Sequence, residues 1–339
     1  MAGEAGQPRA LVWFKRDLRV HDHAALVAAQ AYPDALGLYV VEPEWLNSPE
    51  CGASHVDFVL ACLAELRLAL ALRGMPLLVR TGSCVSVLAQ LHTETGFTHL
   101  HSHEETGPAW SYTRDKEVAT WCQSQQVLWH EFTQTGVVRR LRDRTGWAGR
   151  WQARMDAPLH LLGGGFNPAV TLDQPDLPTL AQLGLAPNAK HLQAAGERAA
   201  RSTLKSFLQV RGYDYRKALS SPLTAQDGCS RLSPHLAFGT LPPVAALAAN
   251  RPLFGAPVSG LRARHPLEPD ADAKWHHRHQ YAAHVFPNQT SEGSRPAGSF
   301  HPPLGSGTGP RAAALLGRTL ADGRQRAAHG GLRDRSGLP

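Results

Sequence analysis

An α/β fold is what this sequence predicts: a doubly wound parallel sheet of five strands, followed by the start of an all-helical domain. Two observations predict the sheet. Short apolar runs at 10–14, 36–41, 77–80, 97–101 and 127–132 are each bounded by polar or turn residues, and helical patterns at 23–30, 55–73, 83–92 and 109–125 lie between them. Strands separated by helices call for crossover connections, which leave the strands parallel and the helices on the faces of the sheet. A third observation predicts the helical part. From Gly196 onward the apolar residues Ala199, Leu204, Phe207, Leu208 and Val210, then Leu232, Leu236, Phe238 and the 244–249 stretch, fall at helical spacing.

Taken in order, Leu11-Val12-Trp13-Phe14 is a strand that runs into the charged turn Lys15-Arg16-Asp17-Leu18-Arg19. In the helix at 55–73, Val56, Val59, Leu60, Leu63, Leu66 and Leu70 make one stripe, and Gly74 stops it. Ligands of such sheets sit at the carboxyl ends of the strands, so the Lys15–Arg19 turn and the His103–Gly107 loop fall on the ligand edge. Together these elements make an α/β domain over 9–135. Residues 136–195 read as a connector, with Arg139, Arg140, Arg142, Arg144 and Arg150 interleaved with Trp147 and Trp151, then Gly163-Gly164-Gly165 and several prolines. Residues 196–250 open the helical domain. The remaining 251–339 change in kind: ten prolines, twelve glycines and sparse apolar residues predict a disordered tail.

A length of 339 residues suits two domains. The net charge of +7 invites a nucleic-acid partner, but residues 251–339 alone carry +6, with twelve Arg or Lys against six Asp or Glu. No apolar run is long enough for a bilayer, and the first ten residues lack the pattern of a secretory signal. Five scattered cysteines without metal-ligand spacing suggest reduced thiols. The expectation is a cytoplasmic monomer with no membrane contact and no metal.

The segment Cys229-Ser230-Arg231-Leu232-Ser233-Pro234-His235-Leu236 carries the chemistry. Ser233 can cap a helix whose first position is Pro234, the free backbone N–H groups favour an anion, and Arg231 adds a positive fork. The same pattern begins many ordinary helices. His99, His101 and His103 alternate on one strand face, where a metal is conceivable and plain strand residues are the simpler reading. The group His276, His277, His279 and His284 divides between a metal site and biased composition in the same way. The arginines at 139–154 fit a nucleic-acid face or an interdomain strap whose stems cover aromatic rings.

The strand with Lys15-Arg16-Asp17-Leu18-Arg19, the His103-Glu104-Glu105-Thr106-Gly107 loop, the segment Phe132–Leu141 and the Cys229–Ser233 motif together resemble the cryptochrome/DNA photolyase family over about residues 9–247. The resemblance implies a Rossmann-like N-terminal domain and a truncated all-helical FAD-binding domain. It implies FAD held by Tyr215, Cys229, Ser230, Arg231, Leu232 and Ser233, with Cys229 standing where many relatives have Thr. Ser220, Ser221 and Thr224 could extend that cradle, or simply make turns. A second, antenna chromophore is implied without an identity. So is damaged DNA as partner, whose pyrimidine dimers reduced FAD splits by light-driven electron transfer. The Lys15–Arg19 turn then either touches the antenna pigment or forms salt bridges joining the two domains. Beyond residue 250 the family's Trp-Arg motif and its Asp/Asn segment around the flavin ring are not recognisable, and Trp275 is followed by His276-His277-Arg278. A change of reading frame near 250–262 would account for that, as would a pseudogene or a divergent tail. The expected outcome is impaired repair. The alternatives are a cryptochrome-type photoreceptor without repair activity and a cofactor-free remnant that binds a nucleotide-like ligand.

Overall fold

The first strand, β1 (Arg9–Phe14), is apolar from Ala10 onward and buried along that length, as a strand covered on both faces must be. β2 (Asp34–Val41) is buried at every position. β3 (Leu77–Thr81), β4 (His99–His103) and β5 (Leu128–Phe132) complete a five-stranded sheet in the order β3-β2-β1-β4-β5. All four pairings are parallel, with Leu11 opposite both Leu36 and Leu100. In this computed structural model the described residues are 8–167, 172–187, 190, 192–213, 215–218 and 220–250. The tail, its histidine cluster, Trp275 and the change of frame placed by the sequence at 250–262 lie outside them, apart from residue 250 itself.

Period-two alternation along β1 divides the core. Ala10, Val12 and Phe14 face α1 (Ala24–Ala29) and the long α3 (Ala53–Ala71), where Val56, Val59, Leu63, Leu66 and Leu70 pack. Leu11 and Trp13 face α4 (Cys84–Thr95) and α5 (Ala109–Ser124), through Leu88, Leu91 and Val118. The sequence-based strands and helices all occur, with ends shifted by a few residues. α2 (Pro43–Leu46), one short turn after β2, carries no periodicity and has no signal in the sequence pattern.

Within the connector the structure differs from expectation. Trp147–Met155 forms a helix, α6, whose Trp151, Arg154 and Met155 turn inward. Trp151 lies so close over Gly136 that any Cβ there would collide with the indole. Two arginines of this run bind the connector to the sheet domain alone: Arg154 bonds the Thr133 carbonyl at 2.7 Å, and Arg139 bonds the Glu105 carbonyl and the Glu131 carboxylate. Gly163 and Gly164 dock on Gln30.

The helical segment consists of α7 (Glu197–Ser206), continued by a π-helical turn Phe207–Arg211, then α8 (Tyr215–Ala218), α9 (Pro222–Gly228), α10 (Ser233–Ala237) and α11 (Pro243–Asn250). Ala200, Leu204, Leu232 and Leu241 form its own small core, while Phe238 joins the core of the sheet. No helix among the described residues is long and apolar enough to cross a membrane.

Candidate functional site

The carboxyl edge of the sheet is occupied by side chains bound to one another. Asp17 is wholly buried. Its Oδ1 accepts from the Lys15 N–H at 2.7 Å, its Oδ2 is 2.7 Å from Nδ1 of His103, and Nε2 of His23 stands 3.0 Å from Oδ2. Nδ1 of His23 accepts from the Leu26 N–H and so caps α1, which leaves the ring proton on Nε2, facing Asp17. Burial would raise the Asp17 pKa, but the two imidazoles outweigh it and hold the carboxyl well below the usual range. Burial, with the neighbouring His23, drives His103 down to about 3. His103, read from sequence as a plain strand residue, is therefore a neutral donor to a buried carboxylate. The three ligand atoms are close enough to share an ion; His103 bonds Asp17, while Nε2 of His23 faces the carboxylate without a well-aligned hydrogen bond.

Beside this triad lies a second network. Arg114 pairs with Glu42 and Glu105 at 2.7 Å and with Asp115 at 2.8 Å. Arg16 pairs with Glu105 at 3.0 Å, and Lys15 Nζ lies 4.5 Å from the centre of the Trp13 ring. Burial pushes Glu42 up to about 7. Burial also favours a neutral Glu105, yet Arg114, Arg16 and Lys15 hold it at about 2. Lys15, Arg16, Arg114 and Arg139 face Glu42, Glu105, Asp115 and Glu131, so the positive charge here is largely taken up by neighbouring carboxylates. The cavity left between Trp13, Tyr39, Trp45, Trp110 and Phe238 is about 30 Å³, the room of one water.

The salt bridges expected from the Lys15–Arg19 turn across to the helical segment are instead hydrogen bonds to carbonyls. Arg19 reaches the Gly239 carbonyl at 2.9 Å, Gln134 at 2.7 Å and the Asp22 carbonyl at 2.9 Å, and the Leu18 N–H donates to the Phe238 carbonyl at 3.1 Å. Gly239 has φ +68°, and a Cβ would strike the Arg16 carbonyl. Charge patterning reveals this turn in the sequence, but its carbonyl partners leave no mark there.

The motif Cys229–Ser233 is fastened from behind by Arg211, which donates to the carbonyls of Cys229, Ser230 (3.2 Å) and Thr203 (3.0 Å) and to Ser206 Oγ (3.0 Å). Arg231 sits at φ +56°, its carbonyl accepts from Gln193 at 3.0 Å, and its side chain is exposed. No ion pair joins it to a neighbouring helix among the described residues. Leu232 turns inward to the small core. Ser233 does not cap its helix: Leu232 holds the cap position, without a side-chain bond, and α10 has only five residues. Its dipole is correspondingly small, and any grip on an anion must come from side chains and loop N–H groups. Ser233 is exposed and its hydroxyl is uncommitted among the described residues. Arg231 and Arg211 border a polar groove of about 290 Å³ with Gln193, Ser202, Thr203 and Ser206. Tyr215 stands at the start of α8 with its ring 5.5 Å from that of Phe207, and no hydrogen bond or ring contact joins it to residues 229–233 among the described residues. Ser221 caps α9 and Thr224 bonds the Ala218 carbonyl, so both serve the local turn. Arg211 escapes sequence reasoning because its partners are backbone carbonyls.

Comparison with known proteins gives three further findings. Residues 10–144 match the family described as DNA photolyase. A deoxyribodipyrimidine photo-lyase of Escherichia coli is 29% identical over 260 residues, 69% of this chain and 52% of that protein, and a cryptochrome DASH of Arabidopsis thaliana is 34% identical over 108 residues, 30% of this chain and 19% of that protein. The crystal structure of a bacterial class III photolyase from Agrobacterium tumefaciens superposes with a TM-score of 0.64 at 21% identity, covering 84% of this chain and 59% of the other. The chain thus spans about half the length of these photolyases.

Proposed function

We propose, from the premise that this chain belongs to the cryptochrome/DNA photolyase family, that it is a photolyase-like flavoprotein whose loop 229–233 grips the diphosphate of FAD. The observation that carries the reading is the loop itself. Arg211 ties down its backbone, Leu232 anchors it in a core, and Arg231 and Ser233 are left exposed and uncommitted above it. A guanidinium and a hydroxyl on a fixed backbone are the donor set that phosphate oxygens take. When bound, reduced FAD would supply the light-driven electron that splits a pyrimidine dimer. This chain's own residues bind and orient its phosphate end. Cys229 presents no hydroxyl where many relatives have Thr, and the Tyr215 ring packs on Phe207 rather than bonding the loop.

The flavin ring is the weak point. The motifs that hold it in relatives are not recognisable in residues 251–339, so this chain retains flavin poorly and repairs dimers slowly, if at all. The test is flavin content after reconstitution with FAD, followed by dimer repair in irradiated DNA under light. Ser233→Ala should weaken FAD about fivefold and Arg231→Gln ten- to a hundredfold, the worth of one neutral and one charged hydrogen bond. Unchanged affinity in both variants would overturn the placement at 229–233. Stoichiometric flavin on freshly purified protein would overturn the impairment.

A further inference from the structure

The arginines of the connector divide into two sets. Arg139 and Arg154 are consumed by carbonyls and carboxylates of the sheet domain. Arg140, Arg142, Arg144 and Arg150 are exposed, and no salt bridge holds any of them among the described residues. One acid lies among them, Asp143, whose carboxyl is held low first by the Thr145 hydroxyl and N–H and then by Arg150. Residues 137–156 contain six arginines and two aspartates, a charge of +4, while the rest of residues 1–250 carries −3. This concentration is local and opposite in sign to the body that bears it.

The segment is also fixed in place. Trp151 seats on Gly136, Met155 is 3% exposed, Arg154 ties α6 to the carbonyl after β5, and Gly146 turns the chain into α6 at φ +70°. Four charges on a held backbone cost less to order against a partner than four on a loose chain. All four are guanidinium groups, whose planar fork matches phosphate oxygens in pairs, and the half-buried Trp147 beside them offers an aromatic face.

We infer that the exposed arginines Arg140, Arg142, Arg144 and Arg150 form a docking surface for the phosphate backbone of duplex DNA, separate from the proposed flavin site. The inference rests on the reading of this chain as a protein that works on DNA. It needs neither flavin nor light nor a lesion, so its failure is distinct from failure of that reading.

The test uses the full chain without flavin, in the dark, with undamaged duplex DNA. Dissociation constants are measured across a salt series for the wild type and for the R140Q/R142Q/R144Q/R150Q variant, with far-ultraviolet circular dichroism to show that both are folded. Every phosphate no longer neutralised takes about 0.9 from the slope of log affinity against log salt. The slope of the variant should therefore be shallower by about 3.6, one phosphate for each arginine, while S233A keeps the wild-type slope. A variant slope equal to the wild type overturns the inference. So does tighter wild-type binding to phosphatidylserine vesicles or to polyglutamate than to the duplex at matched charge, because the surface would then belong to another partner.

Discussion

Replacing Asp17 by Asn tests the buried triad at the carboxyl edge most sharply. Two hydrogen bonds reach this carboxylate, from the backbone of Lys15 and from Nδ1 of His103, each at 2.7 Å, and Nε2 of His23 faces it at 3.0 Å without bond alignment. An amide has one acceptor oxygen. With that oxygen turned to Lys15, the NH₂ faces two imidazoles. His103 can adapt by moving its proton to Nε2 and accepting at Nδ1. His23 cannot, since its Nδ1 is committed to the Leu26 N–H that caps α1. The close contact of the His23 N–H with a buried carboxylate then becomes a donor facing a donor, at a cost of about 2 kcal/mol. Taking roughly 2 kcal/mol per molar for the urea dependence, the unfolding midpoint should fall by about 1 M with the slope unchanged. A fall below about 0.2 M would refute the geometry argued for His23.

Three further outcomes follow. Acidification should destabilise the protein on balance: the depressed histidines outweigh Glu42, which, raised to about 7 in the fold, opposes them between about pH 7 and 4.5. His103 has a folded pKa of about 3 against about 6.5 unfolded, so below pH 6.5 the unfolded chain takes up a proton that the folded state refuses, and stability falls as pH drops from 6.5 towards 3. Burial lowers His23 and His101 as well, and they add to the same slope. Asp17 and Glu105, depressed in the fold, contribute stability that is present above about pH 4.5 and lost below it. Urea midpoints at pH 8, 6 and 5 should decline in that order, and equal midpoints would contradict the buried neutral histidines. Gly239→Ala, placing a Cβ at φ +68° against the Arg16 carbonyl, should cost about 2–4 kcal/mol, measurable as a lower thermal midpoint. Leu232→Ala should cost about 2–4 kcal/mol by emptying the small core under the loop, and should loosen the Cys229–Ser233 segment to proteolysis; a fully protected loop would show that its anchor lies elsewhere.

The sheet is legible in the sequence because its strands are apolar on both faces and its helices carry stripes such as Val56–Leu70, signals that survive without partners. α6 is not legible: its inward face is made of Trp151, Arg154 and Met155, and a guanidinium turned inward reads as a polar residue. The loop 229–233 is legible as a unit, since serines and an arginine before a proline are a local pattern. Its workings are not. Ser233 as a cap and the helix dipole as the anion's attraction both give way to a five-residue helix without a side-chain cap, fastened through Arg211. His103 and Asp17 are 86 residues apart, and only the pairing of β1 with β4 brings them together. Arg19 and Gly239 meet in the same manner, over a separation that no periodicity encodes.

The central claim is that the described loop holds the diphosphate end of the cofactor and not its ring. Competition binding with FAD, ADP and riboflavin on the full chain tests this most directly. ADP should displace FAD with an affinity within about tenfold of FAD itself, while riboflavin should not compete. Riboflavin displacing FAD where ADP does not would contradict the claim.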